Sequence, residues 1–274
     1  MALNLAFDAV GSGPPLLVLH GLFGSGSHWR GVARQLAETH TVYSVDLRNH
    51  GASPWADSMG YVEMADDVLQ LIAKLRLDRP TVLGHSMGGK TAMALALRHP
   101  QRVGRLIVVD IAPVAYANTL TPYAQAMRSA DVLGAASRSE VQRRLLEHLP
   151  DPQTAPFLMQ NLVLRNDHFD WRLNLVGIGA AMPDLCSFPS ELTALQFDGP
   201  TTVIVGERSQ YVAGHEGSAF RPMFSRVAID VVAGAGHWVH ADQPEAFVAS
   251  VRRALQQDLR SHGSPPHDTR ETTS

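Results

Sequence analysis

Six short, largely β-branched apolar runs punctuate the chain, at residues 16–19, 42–45, 81–83, 106–109, 202–205 and 227–232. Runs of this length without polar alternation predict strands covered on both faces, as in the interior of a parallel sheet. Between most of them the apolar positions recur at helical spacing, over 28–38, 61–77 and 87–98. Strand and helix therefore alternate, which predicts an α/β fold built on a doubly wound, mostly parallel sheet. The alternation breaks after Asp110, and about ninety residues pass before the next strand, too many for a loop in a compact domain. Helical patterning persists inside that stretch: over 139–149, Glu140, Arg143 and Arg144 fall on one face and Val141, Leu145 and Leu146 on another. The expected organisation is a core made of residues 1–112 and 196–258, a helical lid insertion over 113–195, and a disordered tail over 259–274.

In an open parallel sheet the ligand site lies beyond the carboxyl ends of the strands. There the chain places His20-Gly21-Leu22-Phe23, Asp46, Ser86, Asp110, Gly206 to Ser209, and Gly236-His237-Trp238. One stretch in this set satisfies two incompatible patterns. Gly84-His85-Ser86-Met87-Gly88 is a Gly-x-Ser-x-Gly strand-to-helix turn that makes Ser86 a nucleophile, whereas residues 84–91, ending Gly89-Lys90-Thr91, also spell a phosphate-binding P-loop that makes Lys90 a phosphate clamp. The tight turn needs small residues two before and two after the serine, and Gly84 and Gly88 supply them. Its chemistry needs a histidine held in one tautomer by an acid, in the chain order Ser, Asp, His; Ser86, Asp110 and His237 come in that order. A magnesium-holding Asp110 after an apolar strand would suit the P-loop. That reading leaves His20-Gly21 and Gly236-His237-Trp238 without a role, and two strand-helix units precede the loop. Under the serine reading Lys90 is a helix residue expected to reach solvent or the domain surface.

Taken together, His20-Gly21, Asp46-x-Arg48-Asn49-His50-Gly51, Gly84-His85-Ser86-Met87-Gly88-Gly89-Lys90 and Gly236-His237-Trp238 resemble the α/β-hydrolase family, most of all its small esterases of the YbfF type. The resemblance extends to about residue 256. It implies an oxyanion hole formed by the backbone N–H groups of Leu22 and Met87, with Phe23 on the pocket wall. Independently, Met87 opens a helix, so its N–H has no intrahelical acceptor and is free to meet an anion. Trp238, next to the histidine, is a second candidate for the wall. One departure matters. The family's acid commonly follows the strand after the insertion, but here that turn reads Gly206-Glu207-Arg208-Ser209-Gln210, with Ser209 where an Asp would stand. Asp198 precedes that strand and Asp230 lies inside the next, which leaves Asp110; the YbfF type is similar in carrying a migrated acid with a serine in the old position. Ser209 is then a candidate fourth member, and Glu207 the fallback acid.

The implied activity is cleavage of carboxylic esters of apolar acyl groups through an acyl-enzyme, with no cofactor. A thioesterase, lactonase, C–C hydrolase or cofactor-free perhydrolase on the same fold is an alternative, as is a small-ligand sensor that keeps the triad and turns over slowly. The bulk properties agree with a small-molecule substrate. A chain of 274 residues, 45% apolar, with a formal charge of −3, has neither a basic footprint for nucleic acid nor the roughly 18-residue apolar run of a membrane span. Cys186 is the single cysteine, so no internal disulfide forms, and a soluble, cytoplasmic protein is expected. Thirteen histidines include no His-Glu-x-x-His pattern. His20 and His85 are expected to anchor loops, as are Asp46 and Arg48. Gly24-Ser25-Gly26 fails as a dinucleotide loop, because the third glycine position falls at Trp29.

Overall fold

The computed structural model describes residues 1–215 and 217–256; the tail expected to be disordered lies outside the described residues. Seven strands form one sheet: β1 (Phe7–Val10), β2 (Pro15–Leu19), β3 (Thr41–Val45), β4 (Thr81–His85), β5 (Arg105–Val109), β8 (Thr201–Gly206) and β9 (Val227–Val232). Their spatial order is β1-β3-β2-β4-β5-β8-β9. All adjacent pairs run parallel except β1 with β3. The six predicted runs are the six parallel strands. β1 was not predicted, for a physical reason: it is an edge strand with Asp8, Ala9 and Val10 exposed, so burial imposed no apolar run on it.

Side chains alternate across the strands and so build two cores. Leu17, Leu19, Val82, Leu106, Val108 and Val203 face α2 (Tyr61–Lys74) and α3 (Met87–Arg98). Leu16, Val18, Leu83, Ile107, Val109 and Ile204 face α1 (Arg30–Leu36) and α9 (Pro244–Gln256), where Trp29, Val32, Phe247 and Val251 complete the layer. A four-residue helix, α8 (Val239–Asp242), precedes α9. Residues 87–97 of α3 are buried all round, because the helix lies between the sheet, α2 and the segment that follows β5. Its glycines and alanines allow that approach: a Cβ on Gly89 would press on the Ile111 side chain at 2.6 Å.

The segment between β5 and β8 carries α4 (Thr121–Ser129), α5 (Arg138–Leu146), α6 (Ala155–Leu158) and α7 (Leu175–Cys186). It is not wholly helical, as expected from sequence, but includes a hairpin of β6 (Leu162–Arg165) and β7 (His168–Trp171). Asn166 and Asp167 make its two-residue turn with positive φ of 47° and 62°, the left-handed pair that such turns require and that short polar side chains tolerate. That dipeptide, flanked by Leu162-Val163-Leu164 and Phe169, was the available signal. α5 begins where Ser137 accepts a hydrogen bond from the Glu140 N–H while the Glu140 carboxylate accepts one from Ala136, a reciprocal cap. Val141 and Leu145 are buried as its pattern predicted, whereas Leu146 is exposed. Among the described residues no helix is long and apolar enough to cross a membrane.

Candidate active site

The site gathers residues that follow five strands, β2, β4, β5, β8 and β9. β4 stops at His85, and Ser86 turns the chain into α3 with φ 52° and ψ −118°, a conformation that non-glycine residues rarely adopt. The turn closes only because its neighbours are small: a Cβ on Gly84 would collide with the Gly88 carbonyl, and one on Gly88 with the carbonyls of Leu19 and His20. The Ser86 N–H donates to Val109 O at 3.0 Å, tying the turn to β5. Asp110, next on that strand, is fully buried at φ 53°.

Three groups converge on the Asp110 carboxylate. The Gly206 N–H donates to Oδ1 at 3.0 Å, the Ser209 hydroxyl donates to Oδ2, and His237 Nδ1–H donates to Oδ2 at 2.7 Å. Ser209 therefore reaches the acid, and not the imidazole beside it. With Nδ1 protonated, His237 presents the lone pair of Nε2 on its outer edge. The fallback acid is elsewhere: Glu207 is exposed and accepts from the Gly234 N–H at 2.8 Å. Tyr211 stacks on the His237 ring at 4.0 Å between centroids and 25° between planes. His85 Nε2–H donates to the His237 carbonyl at 2.9 Å. Tyr211 thus contacts the ring and His85 the backbone of the histidine, and the motif reading did not assign Tyr211; it stands two residues past Ser209 with no periodicity to mark it.

The loop after β2 forms the other wall. A Cβ on Gly21 would approach His85 Nδ1 to 2.9 Å and Ser86 Cβ to 3.3 Å, so this backbone lies against the serine. Leu22 and Phe23 follow, Phe23 at φ 60°. The Phe23 N–H donates to His50 Nε2 at 3.2 Å, and its carbonyl accepts from Asn161 Nδ2 at 2.8 Å, which joins the loop to the segment between β5 and β8. His20 accepts from the Leu47 N–H at 3.0 Å and donates to the Gly21 carbonyl at 2.8 Å. Asp46 accepts from Gly26 and Ala52 at 2.7 and 2.9 Å, and Arg48 pairs with buried Asp67 at 2.6 and 2.8 Å. His20, Asp46 and Arg48 are loop anchors, as the sequence suggested, and His85 anchors the His237 loop through the His237 carbonyl. Burial drives His20 and His85 well below their ordinary imidazole range and pushes His50 and His240 down to about 4, so these rings are neutral struts at neutral pH.

Ser86 and His237 line one cavity of about 300 Å³, with Phe23, Phe157, Tyr211 and Trp238 among its walls. Phe23 and Trp238, the two candidates for the pocket wall, both line this cavity, and Trp238 rests on Phe157 at 5.5 Å. A smaller chamber of about 40 Å³ shares Leu22, Ser86 and Tyr211 with that cavity and is bounded further by Met87 and Ile111.

Lys90 overturns one expectation and speaks against the rival P-loop reading. It is 1% exposed, and its ammonium donates to the carbonyls of Val114 at 2.8 Å and Ser187 at 2.6 Å, with the Tyr116 and Tyr61 rings 4.7 and 5.5 Å away. It does not reach solvent, because the segment after β5 covers α3. Nor is it a phosphate clamp: its donors are committed to main-chain carbonyls, and the Thr91 hydroxyl donates to Met87 O at 3.0 Å. Burial lowers the Lys90 ammonium to about 8, and the two carbonyls and two rings replace the water it has lost. Cys186, half-buried, borders the same small chamber.

A doubly wound sheet carrying a strained serine turn, a buried acid and a histidine at its strand ends is the arrangement of an α/β hydrolase. The chain belongs to the alpha/beta hydrolase fold family, which it matches over residues 14–244. It is 38% identical over 253 residues, 89% of this chain and 79% of the relative, to an sn-1-specific diacylglycerol lipase ABHD11 of Xenopus tropicalis. It is 33% identical over 242 residues to Esterase YbfF of Escherichia coli strain K12, covering 88% of this chain and 92% of that one. Among solved structures, a marine microorganism esterase superposes with a TM-score of 0.88 at 34% identity, over 93% of this chain and 100% of the other.

Proposed function

We propose that this protein is a serine esterase in which Ser86, His237 and Asp110 form the catalytic triad. Ser86 Oγ attacks the ester carbonyl as His237 Nε2 takes its proton; the Leu22 and Met87 N–H groups stabilise the oxyanion; His237 then returns the proton to the departing alcohol oxygen as the C–O bond breaks. Water, deprotonated by the same imidazole, attacks the acyl-enzyme and releases the acid. Asp110 holds the Nδ1–H tautomer, and Ser209 and the Gly206 N–H orient Asp110. The observation that carries the reading is the 2.7 Å bond from His237 Nδ1 to a fully buried carboxylate, at the wall of the cavity that Ser86 also lines. Relatives named as an esterase and as diacylglycerol lipases support the ester as substrate class.

Residues 113–195 act as a lid on this core, excluding water from the acyl-enzyme. The tie from Asn161 to the Phe23 carbonyl and the Lys90 clamp on Val114 and Ser187 support a lid seated directly on the oxyanion loop and the serine helix. A reducing compartment such as the cytoplasm suits a chain whose one cysteine is free. The test is covalent labelling by a fluorophosphonate together with p-nitrophenyl ester hydrolysis. Wild-type protein is labelled and turns over, and Ser86→Ala loses both while keeping its circular dichroism spectrum. Undiminished hydrolysis in Ser86→Ala would remove the nucleophile from the scheme.

A further inference from the structure

Two histidines that the proposed triad does not use face the cavity beside Ser86, and we infer that they form a polar subsite for an uncharged hydroxyl that the substrate carries in addition to its ester. The inference rests on the serine-esterase reading and names a feature of the substrate. His28 and His240 both line the cavity of about 300 Å³, whose other walls include Phe23, Phe157, Leu158 and Trp238. In a largely apolar pocket a few placed polar groups fix the orientation of the ligand. Packing holds both rings in place. His240 stacks on buried Trp29 at 4.3 Å between centroids and 22° between planes, and it meets the His85 ring edge-on at 5.1 Å. His85 in turn lies 4.8 Å from the His237 ring, so His240 stands two ring contacts from the proposed base. His28, the residue before Trp29, leans on Phe157 at 5.3 Å.

The ring nitrogens decide what the pair can hold. His240 Nδ1 is buried with no hydrogen-bond partner among the described residues, so the nitrogen that His240 offers to the cavity is Nε2. A proton on Nδ1 would be a buried donor without an acceptor, whereas on Nε2 it can be met by a ligand; His240 therefore presents Nε2–H as a donor. Neutral His28 carries a ring-nitrogen lone pair and accepts. A hydroxyl satisfies both at once, its oxygen accepting from His240 and its hydrogen going to His28. A carboxylate or phosphate would leave the His28 lone pair facing an anion unless the ring took up a proton. Burial opposes that, lowering His28 from the ordinary imidazole value and His240 to about 4, and a charge on either ring disfavours one on the other. Asp151, on the same cavity wall, also repels an anion. An ammonium, in turn, offers no acceptor to the His240 Nε2–H.

Matched esters on the intact protein test this. Each hydroxyl ester is compared with its methyl ether, which keeps the electron withdrawal and the acceptor oxygen but lacks the O–H. The pairs are 2-hydroxyethyl and 2-methoxyethyl butyrate, 3-hydroxypropyl and 3-methoxypropyl butyrate, and ethyl 3-hydroxybutyrate and ethyl 3-methoxybutyrate; the first two carry the hydroxyl in the alcohol part and the third in the acid part. In at least one pair kcat/KM should favour the hydroxyl by about tenfold or more, the worth of one well-made buried hydrogen bond. His240→Phe, which keeps a ring against Trp29, should bring that ratio to within about threefold of one, and His28→Phe gives the same readout if His240→Phe does not fold. A smaller preference in every wild-type pair, a preference that survives both substitutions, or faster turnover of butyrylcholine or monoethyl succinate than of any hydroxyl ester overturns the subsite and leaves the esterase reading intact. Failure to turn over any ester or to be labelled by fluorophosphonate defeats both.

Discussion

Asp110→Asn tests the proposed triad most sharply, because the structure dictates what an amide must do there. The carboxylate accepts from three donors: Gly206 N–H on one oxygen, and the Ser209 hydroxyl and His237 Nδ1–H on the other. An amide offers one acceptor oxygen and one NH2 group. If the oxygen keeps the Gly206 N–H, the NH2 meets His237 Nδ1–H donor to donor, and the imidazole relieves the clash by moving its proton to Nε2. The lone pair needed to deprotonate Ser86 is then gone. Turning the amide over leaves the Gly206 N–H facing an NH2, which costs about 1–3 kcal/mol for a buried unpaired donor, so the unproductive tautomer prevails. Tautomer inversion in a serine triad lowers kcat by ~10⁴, or about 5 kcal/mol of transition-state stabilisation. Backbone strain is not a confounding factor, since asparagine tolerates the 53° φ at this position. The assay is kcat/KM on p-nitrophenyl acetate at neutral pH, with fluorophosphonate labelling rate as a second readout and a thermal melt to establish folding. A folded Asp110→Asn enzyme within about thirtyfold of wild type would refute the reasoning, and Glu207 offers no rescue, committed as it is to Gly234 on the surface.

Ser209→Ala removes one of the acid's three donors without disturbing the tautomer, so kcat should fall only about tenfold, the worth of one hydrogen bond to a charged group; an undiminished rate in steady-state assays would leave Ser209 a bystander. Lys90→Met strands the Val114 and Ser187 carbonyls but no longer buries an ammonium, and the balance should be a loss of about 1–3 kcal/mol in urea unfolding; no loss would mean that the clamp contributes nothing net. Acid should destabilise the fold. His50 and His240 bind protons near 6.5 when unfolded but only at about 4 when folded, so the unfolded chain binds more protons between those values and stability drops as pH falls through that window. Each contributes roughly 2 kcal/mol of loss at pH 5, read as a lower urea midpoint than at pH 7.5, and an unchanged midpoint would contradict the burial of these rings.

The parallel strands were legible because each is covered on both faces and must be apolar throughout, and the serine turn was legible because a bend that tight admits only glycine two residues to either side. Asp110 could be singled out as a candidate because it follows the strand after the serine's, while Asp198 and Asp230 stand at the wrong places on theirs, with Glu207 left as the fallback. Lys90 could not. A lysine in a helix ordinarily extends its charge to water, and only the chain folded over α3 brings carbonyls from residues 24 and 97 positions away within reach of its ammonium. Tyr211 escaped for the same reason: stacking on an imidazole is a relation between distant segments and leaves no local pattern. β1 and the β6–β7 hairpin, both partly exposed, lacked the apolar regularity that burial enforces.

By itself, then, the order of residues determined the layering of the protein and the set of groups gathered at the carboxyl edge of its sheet, because strand burial, helix periodicity and steric demand on a turn act over a few neighbouring positions. Tertiary structure alone decided which acceptor each of those groups meets, that a surface-type lysine becomes an internal clamp, and that the space around the serine is divided unequally. Those outcomes depend on distances between residues far apart in the chain, which are fixed only when the segment after β5 packs down on the core.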